Sequence, residues 1–268
     1  MLKLGTFGCG NMATAILKGV SAGMAGECAL YGYDVCAEKA EQLAELTGMH
    51  VMDSVDALLA EADYILLAVK PQNIDELLEE IAGSSRKDRV YLCIAAGVTA
   101  SRIKEALGFD ARVVSIMPNT PLLLGVGATA MAHISPVTEE EFATAMKIFG
   151  CAGKVCEVPS DKMNEVIALN GSTPAFLYEF ARGFLSYGVE QGIPYETALA
   201  LFCQTMRGAA EMMEHSGQDI STLIEMVSSK GGTTIAGLKA MREHGIEEAI
   251  AATCHDCVQR AYELAKNS

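Results

Sequence analysis

The chain has 268 residues, half of them hydrophobic, and a formal net charge of −14. That length accommodates two domains or one large one, with enough apolar residues for a sizeable core. The acidic balance argues against nonspecific binding to nucleic acid or to an anionic membrane, and no apolar run is long enough for a membrane span, but a small anionic substrate in a local pocket stays open.

The chain opens on Lys3–Phe7, a short apolar run suited to a first strand. Met1–Gly8 is too short and too glycine-broken for a secretory leader, so a cytoplasmic protein is expected. Gly8-Cys9-Gly10-Asn11-Met12-Ala13 follows, matching G-x-G-x-x-A between a strand and a helix over Ala13–Ala22. In that context Gly8 makes the tight turn, Gly10 admits a pyrophosphate to the backbone, and Ala13 lets the helix pack close to the strand. The next predicted strand, Cys28–Tyr33, runs into Asp34. An acid there bonds the adenosine ribose hydroxyls, whereas a 2′-phosphate prefers an arginine, and none occurs before Ser85. Asp34 therefore leans towards NADH on electrostatics alone, while NADPH stays open, as does a plain solvated strand-end Asp.

A helix over Ala37–Leu46, a short piece near Val51 and another over Val55–Ala60 come next. Strands are expected at Tyr64–Val69, Val90–Ala95 and Arg112–Met117, alternating with helices at Ile74–Ile81 and Ser101–Leu107. This alternation predicts an α/β doubly wound sheet. Ligands of such sheets lie beyond the carboxyl ends of the strands, so Ala68, Val69, Lys70 and Pro71 are cofactor candidates, as are the small residues Ala95, Ala96 and Gly97. For Lys70 a solvated turn lysine is an equal alternative. Met117-Pro118-Asn119-Thr120-Pro121 is a rigid turn that presents Asn119.

From about residue 159 no convincing strand appears, and domains of 1–158 and 159–268 are expected. Helices are predicted over Lys162–Leu169, Ala175–Gln191, Tyr195–Ser216, Ile220–Val227, Thr234–Glu243 and Ile246–Ala265. Asn170-Gly171-Ser172-Thr173-Pro174 breaks the first of these from the second, and its hydroxyls either face a pocket or satisfy freed carbonyls. Ser228-Ser229-Lys230-Gly231-Gly232-Thr233-Thr234 joins two helices through paired glycines. Its glycines can expose N–H groups, its following helix N-terminus favours an anion, and Thr233 or Thr234 suits a cap. Many apolar helix faces point to a homo-oligomer. The nine cysteines are scattered and odd in number, so reduced thiols are expected. Cys254-His255-Asp256-Cys257 has the spacing of half a metal site, but no second Cys/His pair accompanies it and no metal is expected.

Taken in order, GFGCGNMATAI, AVKPQ at Ala68–Gln72, AAGV at Ala95–Val98, MPNTP at Met117–Pro121, NGSTPAF at Asn170–Phe176 and VSSKGGTTIAGL at Val227–Leu238 make the chain resemble pyrroline-5-carboxylate reductase over nearly its whole length. The resemblance implies a Rossmann-type NAD(P) domain followed by an all-α dimerisation domain. It also implies an active site where the nicotinamide meets the helical domain, partly across the dimer interface, and dimers often assembled into larger rings, commonly decamers. The implied reaction is hydride transfer from NAD(P)H to the C=N carbon of 1-pyrroline-5-carboxylate, giving L-proline. Gly231, Gly232, Thr233 and Thr234 would hold the carboxylate by their N–H groups, with help from Ser229. Thr234 would hydrogen-bond the ring nitrogen as the catalytic group, and Ser172 and Thr173 would line the pocket. Two departures stand out: family members usually have Pro at the position of Lys230, and their broken helix usually reads SGSGPAY or GSSPAY. A β-hydroxyacid-type dehydrogenase using Lys162 or Lys230, and a nonenzymatic dinucleotide sensor, are the alternatives.

Overall fold

The computed structural model describes residues 1–84 and 87–266. In chain order its elements are β1 (Leu2–Phe7), α1 (Asn11–Gly23), β2 (Cys28–Tyr33), α2 (Ala37–Thr47), β3 (His50–Val51), α3 (Val55–Glu61), β4 (Tyr64–Leu67), α4 (Ile74–Ser84), β5 (Val90–Cys93), α5 (Ala100–Leu107) and β6 (Arg112–Met117). Then come β7 (Gly127–Ala132), α6 (Glu139–Gly150), β8 (Gly153–Glu157), α7 (Thr173–Glu190), α8 (Tyr195–His215), α9 (Ile220–Met226), α10 (Thr233–Glu243) and α11 (Ile246–Lys266). The doubly wound sheet followed by helices is as the sequence predicts. The sequence reading leaves out β7, α6 and β8, and it expects one helix over Lys162–Leu169 where the chain instead makes two short 3-10 turns.

The sheet has eight strands in the order β3-β2-β1-β4-β5-β6-β7-β8. All neighbours run parallel except β6 and β7. Its inner strands read as continuous apolar runs because both faces are covered. In β4 the alternation of side chains sends Leu66 to one core, with Ile16, Leu43 and Phe142 of α1, α2 and α6, and Ile65 and Leu67 to the other, with Leu58, Leu78 and Ile103 of α3, α4 and α5. The strand order reverses between β1 and β4, the switch point at which such sheets bind ligands.

By compactness the chain forms two units, one from Met1–Pro174 together with the chain from Asp256 on, the other Ala175–His255. The helical unit buries little of itself: α7 buries Leu185 and Gly188, while α8, α9 and α10 bury nothing. Phe180, Phe184, Tyr187, Leu201, Ile224 and Ile235 stay exposed. No helix among the described residues is long and apolar enough to cross a membrane.

Candidate active site

β1 delivers the chain to Gly8 with φ at +93°, a backbone conformation that disfavours any side chain. Gly8 donates to Tyr33 O at 2.9 Å, and a Cβ on it would lie 2.8 Å from Ala68 O at the end of β4. The switch point thus closes only because residue 8 is glycine. Gly10 differs. It is the N-cap of α1 at φ −80°, and a Cβ there would meet nothing within 4 Å. No side chain caps α1, so the first-turn N–H groups of Asn11 and Met12 have no side-chain acceptor at the cap. Ala13 is fully buried and seats the helix on the sheet.

Asp34 reaches back across this turn. Cys9 N–H donates to Asp34 Oδ2 at 2.8 Å, and Cys36 N–H donates to Oδ1 at 2.9 Å. The acid is therefore fixed by two backbone donors beside the glycine loop, rather than standing free in solvent. Each oxygen keeps a lone pair for a further donor. Burial pushes the Cys9 thiol up to about 12, with the Asp34 charge adding to the shift, so this sulfur stays protonated and unreactive.

The remaining strand ends line up along the same edge of the sheet. Ala68 and Val69 are half-buried after β4, and Lys70 is exposed, its ammonium making no hydrogen bond or ion pair among the described residues. Pro71 starts a 3-10 turn, held by Asn73 N–H on Lys70 O at 2.9 Å. After β5, Val98 N–H closes a turn on Ala95 O at 3.2 Å, with Gly97 at φ +79°. Ala95 is buried and Ala96 exposed. After β6, Asn119 is 8% exposed, and both ends of its amide are engaged: Oδ1 accepts from Ala128 N–H at 2.9 Å and Nδ2 donates to Asn170 O at 3.2 Å. A cofactor contact from Asn119 would fall to its main chain. The glycine turn, the open approach at Gly10, the uncapped helix and the tethered acid fit a dinucleotide along this edge.

Ser172 and Thr173 lie just before and at the start of α7, in the same unit. Thr173 Oγ1 donates to Ala168 O at 2.7 Å, so this hydroxyl satisfies a carbonyl freed by the break. Ser172 Oγ accepts a weak bond from Cys257 Sγ at 3.4 Å. Asn170, which the motif reading passes over as a site residue, donates from Nδ2 to Met117 O at 2.7 Å and Ala128 O at 3.2 Å. Its signal in the sequence is its place at the head of the Asn170–Pro174 break, where the hydroxyls draw the reading instead.

Ser229, Gly231, Gly232, Thr233 and Thr234 lie in the helical unit, between α9 and α10. Gly232 N–H bonds Ser229 O at 2.9 Å, closing a four-residue turn with Lys230 second and Gly231 third at φ +73°. This is the pattern of a type II turn, whose second position suits proline and whose third requires positive φ. A Cβ on Gly232 would lie 2.6 Å from Ser229 Oγ. Gly232, not a threonine, is the N-cap of α10, and no side chain caps it. Thr233 and Thr234 are the first two helical residues. Thr14, Thr144, Thr205 and Thr253 bond the carbonyl four residues back. Thr234 has no helical turn behind it, and its hydroxyl makes no hydrogen bond among the described residues. Lys162 is ion-paired with Asp161 at 3.4 Å and Glu165 at 3.9 Å. The hydrogen bond and charge of Asp161 raise its pKa further, which makes it a poor proton shuttle near neutrality.

A protein from Escherichia coli strain K12 called pyrroline-5-carboxylate reductase is 32% identical over 266 residues, covering 99% of each chain. The chain belongs to the pyrroline-5-carboxylate reductase family. Residues 160–264 match the family described as pyrroline-5-carboxylate reductase dimerisation, and residues 3–97 match that described as NADP oxidoreductase coenzyme F420-dependent. Among solved structures, a pyrroline-5-carboxylate reductase from Coxiella burnetii superposes with a TM-score of 0.91 at 30% identity, covering 98% of each chain. A pyrroline carboxylate reductase from Plasmodium falciparum with NADP bound gives 0.87 at 25% identity, again covering 98% of each. Membership of this reductase family makes the chain an oxidoreductase with a nicotinamide-dinucleotide fold and a dimerisation domain.

Proposed function

We propose that this chain reduces 1-pyrroline-5-carboxylate to L-proline, the last step of proline biosynthesis, with Thr234 as its catalytic group. The observation that carries the reading is the uncapped N-terminus of α10, opened by Gly231-Gly232 and bearing an unengaged Thr234 hydroxyl, in a chain related to these reductases over its full length. The bound dinucleotide supplies a hydride. The protein holds and orients. The first-turn N–H groups of Thr233 and Thr234 bind the substrate carboxylate, where the helix dipole favours an anion, while Gly232 N–H stays on Ser229 O and shapes the turn beneath it. Ser229, packed over Gly232, supplies a further donor. The Thr234 hydroxyl accepts from the protonated ring nitrogen, keeps the imine cationic and fixes its angle, and then receives the amine product's N–H. Ser172 Oγ and the main chain of Thr173 line the ring.

Cofactor choice follows from Asp34. Its carboxylate, held by Cys9 and Cys36, has lone pairs for ribose hydroxyls and repels a 2′-phosphate, with no arginine earlier in the chain to offset it. NADH is the preferred donor in this reading. The bare apolar faces of α8, α9 and α10 support a dimer formed through the 159–268 domain, with larger rings of dimers built on it. The cysteines are free among the described residues, which suits a reducing, cytoplasmic setting.

The test is pyrroline-5-carboxylate-dependent oxidation of NADH and NADPH by purified protein, followed at 340 nm. No turnover with either would end the reading. Catalytic efficiency tenfold higher with NADPH, about 1.4 kcal/mol, would end the argument from Asp34 alone.

A further inference from the structure

The interlocked amides of Asn119 and Asn170 stand where a backbone ladder stops. β6 ends at Met117, and Pro118 has no N–H to extend it. The β6–β7 register pairs Met117 with Ala130 and would next bring residue 119 opposite Ala128. There, side chains replace main chain. Ala128 N–H donates to Asn119 Oδ1 at 2.9 Å, and Ala128 O accepts from Asn170 Nδ2 at 3.2 Å. The same Nδ2 donates to Met117 O at 2.7 Å, while Asn119 Nδ2 donates to Asn170 O at 3.2 Å. The end of β6 and the start of β7 are thereby tied at one point to a segment distant in sequence, and both asparagines are 8% exposed.

The orientation of the Asn170 amide is forced, because a flip would aim its oxygen at two carbonyls. Its Oδ1 is left buried with no partner. A buried acceptor without a donor is unfavourable, and the fold bears it while keeping both donors of the amide on Met117 and Ala128. Asn170 is followed directly by Gly171, Ser172 and Thr173. Ser172 N–H bonds Ile167 O at 2.9 Å, and a Cβ on Gly171 would lie 3.4 Å from Met117 Sδ. The distance from the end of β6 to Ser172 is set through residue 170.

We propose that Asn170 is a positioning residue for the reductase reaction: by clamping Met117, Ala128 and Asn119 together it fixes Ser172 against the carboxyl end of β6. This rests on the activity proposed above. It differs from a purely structural role because its effect on turnover must run through Ser172.

The experiment is a double-mutant cycle. Asn170→Ala is expected to lower kcat/KM for pyrroline-5-carboxylate at least tenfold while dinucleotide Kd, measured by fluorescence titration, stays within twofold. In a Ser172→Ala background the same change is expected to cost less than threefold. An undiminished loss in that background, or a parallel rise in dinucleotide Kd, overturns the proposal. Asn119→Asp, measured at pH 5 and pH 8, provides a second cut should Asn170→Ala fail to fold: it keeps an acceptor for Ala128 N–H and turns the donor to Asn170 O into an oxygen, whose charge against that carbonyl loosens the clamp most at the higher pH. It must show the same coupling to Ser172. Amide hydrogen exchange separates this proposal from the activity itself. Asn119→Asp must speed exchange at Ser172 N–H whether or not the wild type turns over pyrroline-5-carboxylate, and unchanged exchange there overturns the clamp.

Discussion

Gly8 and Gly10 are two residues apart in one motif, yet alanine at each has opposite consequences. At Gly8 the backbone has φ +93° and an added Cβ meets Ala68 O at 2.8 Å and Ala68 C at 2.9 Å. A positive φ costs a residue with a Cβ about 1–2 kcal/mol, and forcing a methyl into backbone adds about 1–3 kcal/mol. Gly8→Ala should therefore destabilise the protein by about 2–5 kcal/mol, a fall in Tm of roughly 4–20 °C for a unit of this size. At Gly10 the backbone is extended and a Cβ meets nothing, so Gly10→Ala sacrifices only a better N-cap, about 0.5–1 kcal/mol. What it blocks is the approach of a pyrophosphate to the first-turn N–H groups. Loss of one charge-assisted bond, about 1.5–3 kcal/mol, weakens dinucleotide binding roughly 10- to 150-fold. Thermal unfolding followed by circular dichroism, with NADH titration by fluorescence on both variants, reads the two effects separately. If Gly10→Ala binds NADH like the wild type, or is the less stable of the pair, the assignment of the two glycines is wrong.

Thr234→Ala should lower kcat/KM for pyrroline-5-carboxylate at least tenfold with NADH affinity retained, and Thr234→Ser should recover most of it; unaltered steady-state kinetics would remove the hydroxyl from the mechanism. Lys230→Pro should raise stability by about 0.4–1 kcal/mol, because position 230 is the second residue of the Ser229–Gly232 turn, and a lower Tm would contradict that turn geometry. If the Lys230 charge also attracts the substrate, the same variant should raise KM at low salt and match wild type at high salt. Burial pushes Cys93 up to about 11 and both Cys9 and Tyr91 up to about 12, from ordinary values of 9.0, 9.0 and 10.0. These groups ionise more readily unfolded than folded, so their contribution is complete below about pH 9 and is lost as pH rises towards the folded values. Tm should be flat from pH 7 to 8.5 and decline steadily above it; a Tm unchanged to pH 10.5 would refute burial of these groups.

How much of the chain could be read from its sequence depended on what kind of force fixed each part. The apolar strands β1, β2, β4, β5 and β6 and the helices between them follow hydrophobic pattern alone, since each of these inner strands is covered on both faces. β7 escaped the same reading because its residues, Gly-Ala-Thr-Ala-Met-Ala, are small rather than β-branched, and it is burial between β6 and β8 that makes it a strand. Gly127 in it is fixed by Leu122, which a Cβ would meet at 1.9 Å, a contact no local pattern announces. α6 was readable: Thr138 and Glu141 form a capping box ahead of Phe142, Ala145 and Ile148, and the T-x-x-E spacing stands in the sequence. The expected helix over Lys162–Leu169 has helical spacing, but its carbonyls at Ile167 and Ala168 are taken by Ser172 N–H and Thr173 Oγ1, which tightens the chain into 3-10 turns and starts α7 afresh.

The site divides in the same way. Gly8, Gly97, Gly231 and Gly232 were visible because a backbone conformation or a close approach demands glycine, and Gly10 because it completes the motif that Gly8 opens. Asp34 was visible as an acid at a strand end, but its tether to Cys9 and Cys36 was not, and the tether is what turns it from a solvated charge into a fixed one. Asn119 and Asn170 show the limit. Each is an ordinary amide in its own segment, and neither segment carries a sign of the other, 51 residues away in sequence. Only their burial together, with the Met117 and Ala128 carbonyls between them, makes one hold the other. A mutation scan aimed at the hydroxyls of the NGSTPAF break would pass over Asn170 and spend its variants on Thr173, whose hydroxyl is already committed to Ala168. A scan ranked by buried side-chain donors that join distant backbone would begin at residue 170.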